Sequence, residues 1–387
     1  MSQPPSVLLA LRSCVGAGVE STALTLHRNL GPSCWLAILE NFGELQGEAQ
    51  ALDRVLWPKG GTRTASQKED LLFALKAIPR MVSYASLLRG HLTQRKPDIF
   101  FTHSGVDLLA AARLARPPGV WMAGIGSDVY RDLMNKHPRL RPLWLPILRF
   151  LYSGPQHWIA SSRGLAQTLS QHLGVPESRL DVVANPVDLA RLEMGKDEPL
   201  PAGFPQDFVL GVGRLSRTKG FDRLIQAMAR LPQQLPLVIL GEGEERQNLQ
   251  RLAQEAGLSR LLMPGFEANP WRYLKRARLV VVPSRLEGFS NVTVEALACG
   301  APLVVTDCPH GPREIVAEGK YGRVVGQQVE ALSQAIFEIL SQPQVAQQLA
   351  ELGPARAQEF SAPVVAQKYL EVFQRVAGKA SPACCQR

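Results

Sequence analysis

The chain is 387 residues long and 45% hydrophobic, too long for one ordinary core and apolar enough to fill two. Its formal net charge of +9 favours an anionic partner, and every apolar run is cut by Arg, Pro or Gly before the ~20 residues a bilayer core demands, which excludes a membrane span. Six cysteines, with neither the CxxC spacing of a metal site nor the density of a disulfide scaffold, are expected as free thiols in a reducing compartment.

In chain order, Met1 to Pro5 lacks the positive start of a signal peptide and Val7 to Leu11 is too short for its apolar core, so a cytoplasmic protein is expected. Residues 6–10 read as a strand leading into the glycine loop Gly16-Ala17-Gly18 and a helix from Glu20. Further strands are predicted at 99–101, 119–122, 157–159 and 181–183. Arg54 to Arg163 holds 17 Lys/Arg against 6 Asp/Glu, a field that fits phospholipid headgroups, a diphosphate-linked acceptor or nucleic acid. Within it, 136–152 interleaves Lys136, Arg139, Arg141 and Arg149 with Leu143, Trp144, Ile147, Leu148 and Phe150. That mixture suits an interfacial segment on anionic lipid, while Pro142 and Pro146 argue against one smooth amphipathic helix. A partly buried interdomain element fits the same residues.

The second half alternates more regularly. Strands are predicted at 208–212, 237–240, around 261–263, 279–282 and 302–306, with helices at 221–231, 245–256, 271–277 and 291–299, the alternation of a doubly wound parallel sheet. The Pro/Gly/charge-rich residues 196–203 read as a linker. The expected organisation is therefore α/β, with Rossmann-like domains over 1–195 and 204–359, a helix within 360–379 returning to the first domain, and a disordered tail at 380–387.

In such sheets ligands bind beyond the carboxyl ends of strands, so the chemistry belongs to the loops that follow them. After the strand at 208–212, Gly213 is followed by Arg214 and Lys219, two cations just ahead of a helix. Arg clamps phosphate oxygens through parallel N–H bonds and Lys adds a point charge, which suits a diphosphate. After the strand at 279–282, the loop presents Glu287 and Gly288 and the next helix carries Glu295. N–H groups at Ser290, Asn291 and Val292 open that helix and point at an anion, while a loop carboxylate can bond sugar hydroxyls. Gly16, Ala17 and Gly18 allow close backbone approach, and equally make an ordinary tight turn.

Glu287 to Glu295, followed by Cys299-Gly300-Ala301-Pro302, resembles the E-x7-E signature of the retaining GT-B glycosyltransferases of family 4, the glycosyl transferases group 1. Gly213-Arg214-Leu215 with Lys219-Gly220, Leu240-Gly-Glu-Gly243, Pro264-Gly-Phe266 and Asn185-Pro-Val-Asp188 resemble the family's other landmarks in the same order. The resemblance implies two Rossmann-like domains facing each other across a cleft and a nucleotide-diphosphate sugar as donor, UDP- or GDP-linked. It places Arg214 and Lys219 on the diphosphate, Glu295 on the ribose, the Phe266 backbone on the base and Glu287 on the sugar. The backbone from Phe289 through Ser290 and Asn291 to Val292 completes the pyrophosphate seat. Gly16-Ala17-Gly18 becomes the acceptor-side loop, and Gly124-Ile125-Gly126-Ser127-Asp128 is similar to the family's His-Gly-x-Asp turn with Ile125 in place of the histidine. His103 is the candidate substitute.

With no Asp-x-Asp pair, no metal or other cofactor is expected; Arg214, Lys219, Glu287 and His103 are the expected catalytic set. The partners implied are a nucleotide sugar and a glycan or lipid-linked acceptor, with an anionic membrane surface reached through 136–152. Two rival readings are a sugar-nucleotide epimerase of the same architecture, which lacks the tandem Glu287/Glu295 helix, and a non-catalytic basic binding protein. The basic stretch carries no RRM, KH or zinc pattern, so nucleic acid is not the expected partner.

Overall fold

The structure is a computed structural model that describes residues 4–13, 18–40, 45–57, 73–103, 105–232 and 235–380. It divides into two compact units, Met1–Pro186 with Ala362–Arg387, and Val187–Ser361. Each is built on a wholly parallel sheet.

In the first unit, β1 (Val7–Leu11), β2 (Cys34–Ile38), β3 (Val55–Leu56), β4 (Ile99–His103), β5 (Val120–Ile125), β6 (His157–Ala160) and β7 (Leu180–Val182) lie in the order β3-β2-β1-β4-β5-β6-β7. β1, β4, β5 and β6 are buried along their whole length, as a sheet covered on both faces requires. Alternation then sorts side chains between two cores: Leu8, Ala10 and Phe100 pack with Leu88, Leu109, Tyr152 and Leu165, and Val7, Leu9, Leu11 and Phe101 with Leu24, Leu26, Tyr369 and Phe373. The second core is completed by the helix Ala362–Ala380, which brings Val365, Tyr369 and Phe373 onto one face at a spacing of four. The Phe373 and Tyr369 rings meet Phe101 edge-on at 5.5 and 6.0 Å.

In the second unit, β8 (Val209–Val212), β9 (Leu237–Leu240), β10 (Leu261–Gly265), β11 (Leu279–Val282), β12 (Leu303–Thr306) and β13 (Arg323–Val325) lie in the order β10-β9-β8-β11-β12-β13. The strands β2, β3 and β13 were not among those predicted.

Two expectations are corrected. The units divide at Pro186 rather than within 196–203, because the chain from Val187 onward is fastened to the second unit. The Val187 N–H donates to the Phe360 carbonyl (2.9 Å), Asn269 Nδ2 to Gly195 O (2.9 Å), and Arg272 and Arg276 reach the carbonyls of Pro199, Lys196 and Asp197. The stretch with linker composition is thus a strap on one unit. Arg141–Tyr152 is a helix despite its prolines: Pro142 lies in the first turn, where an N–H has no intrahelical partner, and Pro146 removes one bond. Burial of Leu148, Leu151 and Tyr152, with Tyr152 stacked on Trp158 at 4.8 Å, offsets that loss and makes the segment part of the first unit's core. The tail beyond residue 380 lies outside the described residues.

Truncating Phe373→Ala removes a fully buried ring from the apolar cover that 362–380 adds to the core of Leu9 and Phe101. A loss of about 3–5 kcal/mol is expected in a denaturant titration, and a change below ~1 kcal/mol would show that the helix does not complete this core.

Candidate active site

The strand order of the second sheet reverses between β8 and β11, so the loops after these strands emerge side by side at the carboxyl edge. The first, 213–220, ends in a short 3-10 turn, Arg217–Lys219, and Gly220, whose φ of 69° favours glycine. A Cβ at Gly220 would overlap the Pro283 carbonyl oxygen, so the two loops touch backbone to backbone. Bonds from both sides hold the contact. The Arg285 N–H donates to Thr218 O (2.7 Å), its Nη1 to Arg217 O (3.0 Å), and its guanidinium grips Asp222 through two bonds of 2.6 Å; in return Arg223 Nη2 donates to Pro283 O (2.5 Å).

This contact delivers Lys219 to Glu287. Lys219 Nζ lies 2.7 Å from Glu287 Oε1, and the Ser284 hydroxyl donates to the same oxygen at 2.7 Å. The carboxylate is 8% exposed, and a buried acceptor needs such donors. Ser284 is fixed in turn by Thr306 Oγ1, which donates to its carbonyl (2.6 Å).

Beyond Gly288 and the buried Phe289, Ser290 adopts φ 93°, a costly conformation for a residue with a Cβ, and the helix Asn291–Ala298 begins. The Ser290 hydroxyl bonds Thr293 Oγ1 (2.8 Å), and the Gly311 backbone presses so closely on Phe289 that a side chain there would strike its carbonyl. The opening turn at 290–292 therefore has its direction set, and its N–H groups carry the positive end of the helix dipole. Glu295, on the same helix, is half-buried; burial raises its carboxyl to about 7, with the indole N–H of Trp271 acting the other way.

The remaining predicted donor residues are more open. Arg214 is 61% exposed, with Glu244 at 3.4 Å, a weak pairing that leaves its guanidinium able to turn to an incoming phosphate. Gly213 precedes it directly after β8, and Phe266, half exposed, follows the edge strand β10.

The first unit divides the other predicted residues. Gly16 and Ala17 lie outside the described residues; Gly18 opens the helix Gly18–Asn29. Asp128 follows the turn after β5. It caps the helix Val129–Lys136, accepting from the Arg131 N–H (2.8 Å) and the Thr168 hydroxyl (3.3 Å), and is buried. Ile125 is buried at the end of β5. His103 ends β4 beside Gly124, and borders a cavity of about 10 Å³ with Val19, Thr22, Gly126, Asn185 and Tyr369, space for roughly one water. Burial pushes its imidazole down to about 4, so it is neutral at physiological pH and offers a hydrogen bond rather than a proton.

Sequence reading missed Ser284, Thr306, Arg223 and Arg285, which hold the paired residues. Ser284 and Arg285 sit inside the segment that carries Glu287, but their partners Thr306, Thr218 and Asp222 come from other loops. Among the described residues no three His, Cys, Asp or Glu side chains converge as a metal site, and no helix is long and apolar enough to cross a membrane. Lys219, Glu287 and the helix start at 290–292 thus follow one another at the carboxyl edge of this sheet, with the exposed Arg214 on the loop after β8.

Comparison with known proteins identifies the family and the fold. Residues 48–191 match the model of Glycosyltransferase Family 4 and 198–356 that of Glycosyl transferases group 1. The chain is 33% identical over 180 residues to the N-acetylgalactosamine-N,N'-diacetylbacillosaminyl-diphospho-undecaprenol 4-alpha-N-acetylgalactosaminyltransferase of Campylobacter jejuni (46% of this chain, 49% of the relative). It is 33% identical over 190 residues to the lipopolysaccharide core biosynthesis glycosyltransferase LpsE of Rhizobium meliloti (48% and 53%). The chain thus spans about half the length of these curated relatives. Among solved structures, Anabaena HepE in complex with UDP and glucose superposes with a TM-score of 0.77 at 20% identity over 96% of this chain and 99% of that one, a likeness of fold.

Glu295 gives this site a pH signature. Because its folded value of about 7 lies above the ordinary 4.5, the folded state binds the proton more tightly; the stabilisation is full below pH ~4.5 and is lost as pH rises through 7. Glu295→Gln removes that slope. The stability of the variant relative to the wild type is expected to rise by up to roughly 2–3 kcal/mol between pH 5 and 8, and a constant difference across that range would show that the carboxyl titrates normally.

Proposed function

The chain belongs to glycosyltransferase family 4, and on that premise we propose that it is a retaining, metal-independent hexosyltransferase. It moves a sugar from a UDP- or GDP-linked donor to a glycan or lipid-linked acceptor in the synthesis of cell-envelope polysaccharide, lipopolysaccharide or glycolipid. The observation that carries this reading is the Lys219–Glu287 pair at the β8/β11 crossover, one charge for the phosphate and one for the sugar, 2.7 Å apart.

Lys219 shares its ammonium between Glu287 and the donor diphosphate, Arg214 swings onto the phosphate oxygens, and the N–H groups at 290–292 complete the seat. Glu287 accepts hydrogen bonds from sugar hydroxyls and Glu295 from the ribose. The acceptor oxygen bonds to the anomeric carbon on the face from which the phosphate oxygen departs, and the acceptor's proton passes to that departing oxygen. Fixed positive charge at the leaving group then supplies the catalysis, since it need not reorganise as charge develops. His103, neutral and unable to act as an acid at pH 7, serves the acceptor side through a hydrogen bond.

The enzyme works at the cytoplasmic membrane surface. Helix Arg141–Tyr152 leaves Leu143 (61% exposed), Ile147 and Phe150 (59%) uncovered on one side, with Arg139 and Arg141 exposed beside them and no acidic residue from Leu133 to Pro176. Apolar side chains among cations match an anionic interface.

Titration calorimetry with UDP and GDP, followed by transfer assays with a panel of their sugars, tests the reaction. Lys219→Ala and Glu287→Ala are each expected to reduce turnover by about 10²–10³, and near-normal activity in either would end the assignment of this site. In flotation with vesicles containing phosphatidylserine or cardiolipin, the wild type is expected to rise with the lipid and a variant with Leu143, Ile147 and Phe150 all changed to Ser to remain below. Absence of flotation by the wild type removes the membrane claim.

A further inference from the structure

Arg223 lies in the first turn of the helix Phe221–Ala229 and is only 7% exposed. A buried guanidinium is a poor way to gain stability, because a packed apolar side chain of similar size avoids its desolvation. Here the burial is incompletely compensated: Nε has no hydrogen-bond partner, and burial together with the neighbouring Arg285 pulls the group's pKa down. What Arg223 does achieve is a junction. Nη2 donates to Pro283 O (2.5 Å), in the loop after β11; Nη1 donates to the carbonyl (2.7 Å) and side-chain oxygen (3.1 Å) of Gln327, after β13; and Gln327 Nε2 donates to Asp307 O (3.2 Å), after β12. Arg223 therefore ties the start of its own helix to the loops following two other strands and, through Gln327, to a third.

We propose that Arg223 is a positioning residue for the transfer reaction: by holding the Pro283 carbonyl against Gly220 it sets the separation of Lys219 and Glu287, while touching no substrate. The inference rests on the donor reading above. Pro283 precedes Ser284 and Gly220 follows Lys219, and the Ser284 hydroxyl and the Lys219 ammonium both bond Glu287 Oε1, so a displacement of Pro283 is carried directly into the pair. Gly220 limits the approach from one side and Arg223 supplies the attraction from the other. Misplacement by about 1 Å at such a site costs on the order of 10²-fold in rate.

The test compares Arg223→Met, which keeps the bulk and removes the donors, with Arg223→Lys. In the ligand-free full chain, Arg223→Met is expected to melt within roughly 5 °C of the wild type. Amide hydrogens of 217–220 and 284–290 should exchange on the order of tenfold faster, with β9 and β10 unchanged. UDP or GDP, whichever the wild type binds, should bind about tenfold more weakly by calorimetry, and Arg223→Lys should recover most of both effects. Wild-type exchange in folded Arg223→Met, or loosening spread evenly through the second unit, overturns the proposal. If Arg223→Met fails to fold, Gln327→Ala removes one acceptor instead: faster exchange confined to the same two segments supports the proposal, and unchanged exchange overturns it. A wild type that binds neither nucleotide sinks the donor reading, while local exchange still decides whether Arg223 sets the two loops.

Discussion

The site depends on a backbone contact that no charged residue makes: Gly220 against the Pro283 carbonyl. It exists because the strand order of a parallel sheet must reverse somewhere, and at the reversal two successive loops open on the same edge with no strand between them. Everything chemical follows from that adjacency. A side chain at Gly220 would force the loops apart and draw the Lys219 ammonium away from the Glu287 carboxylate. Fold and reactivity are joined there by a missing methyl group.

Burial also sorts the ionisable groups by task. Glu287 is kept with two donors, Glu295 is pushed to about 7 beside an indole, and His103 is driven down to about 4 among apolar neighbours. Glu20, one turn into the helix Gly18–Asn29, is also raised to about 7 by burial, with Arg12 opposing. Three of these four groups thus owe their shifts first to desolvation.

Much of this was legible in the sequence, for definable reasons. Strands such as Leu237–Leu240 and Leu279–Val282 are buried on both faces and announce themselves as unbroken apolar runs. Val55–Leu56 is two residues long and Arg323–Val325 begins with an exposed arginine, so neither carries that signal. Lys219 and Glu287 were legible because glycine and charge cluster after predicted strands. Arg223 was not, since its meaning lies in Pro283 and Gln327, sixty and more than a hundred residues away. Asp128 has a structural task that the sequence pattern also allows: a glycine turn followed by an aspartate is equally the start of a helix, and here the carboxylate caps one. The strap at 196–203 has the composition of a free connector, and only its bonds to Arg272 and Arg276 reveal otherwise.

The return of Ala362–Ala380 to the first unit makes the second unit an insertion within it. During synthesis, residues 187–361 have all their own strands before the ribosome delivers the helix that Leu9 and Phe101 await. The unit that begins first is therefore the one that finishes last. In the interval one apolar face of its sheet lacks part of its cover, Val365, Tyr369 and Phe373, over a long stretch of translation, the period in which a nascent chain of this design most depends on chaperones to avoid sticking to its neighbours.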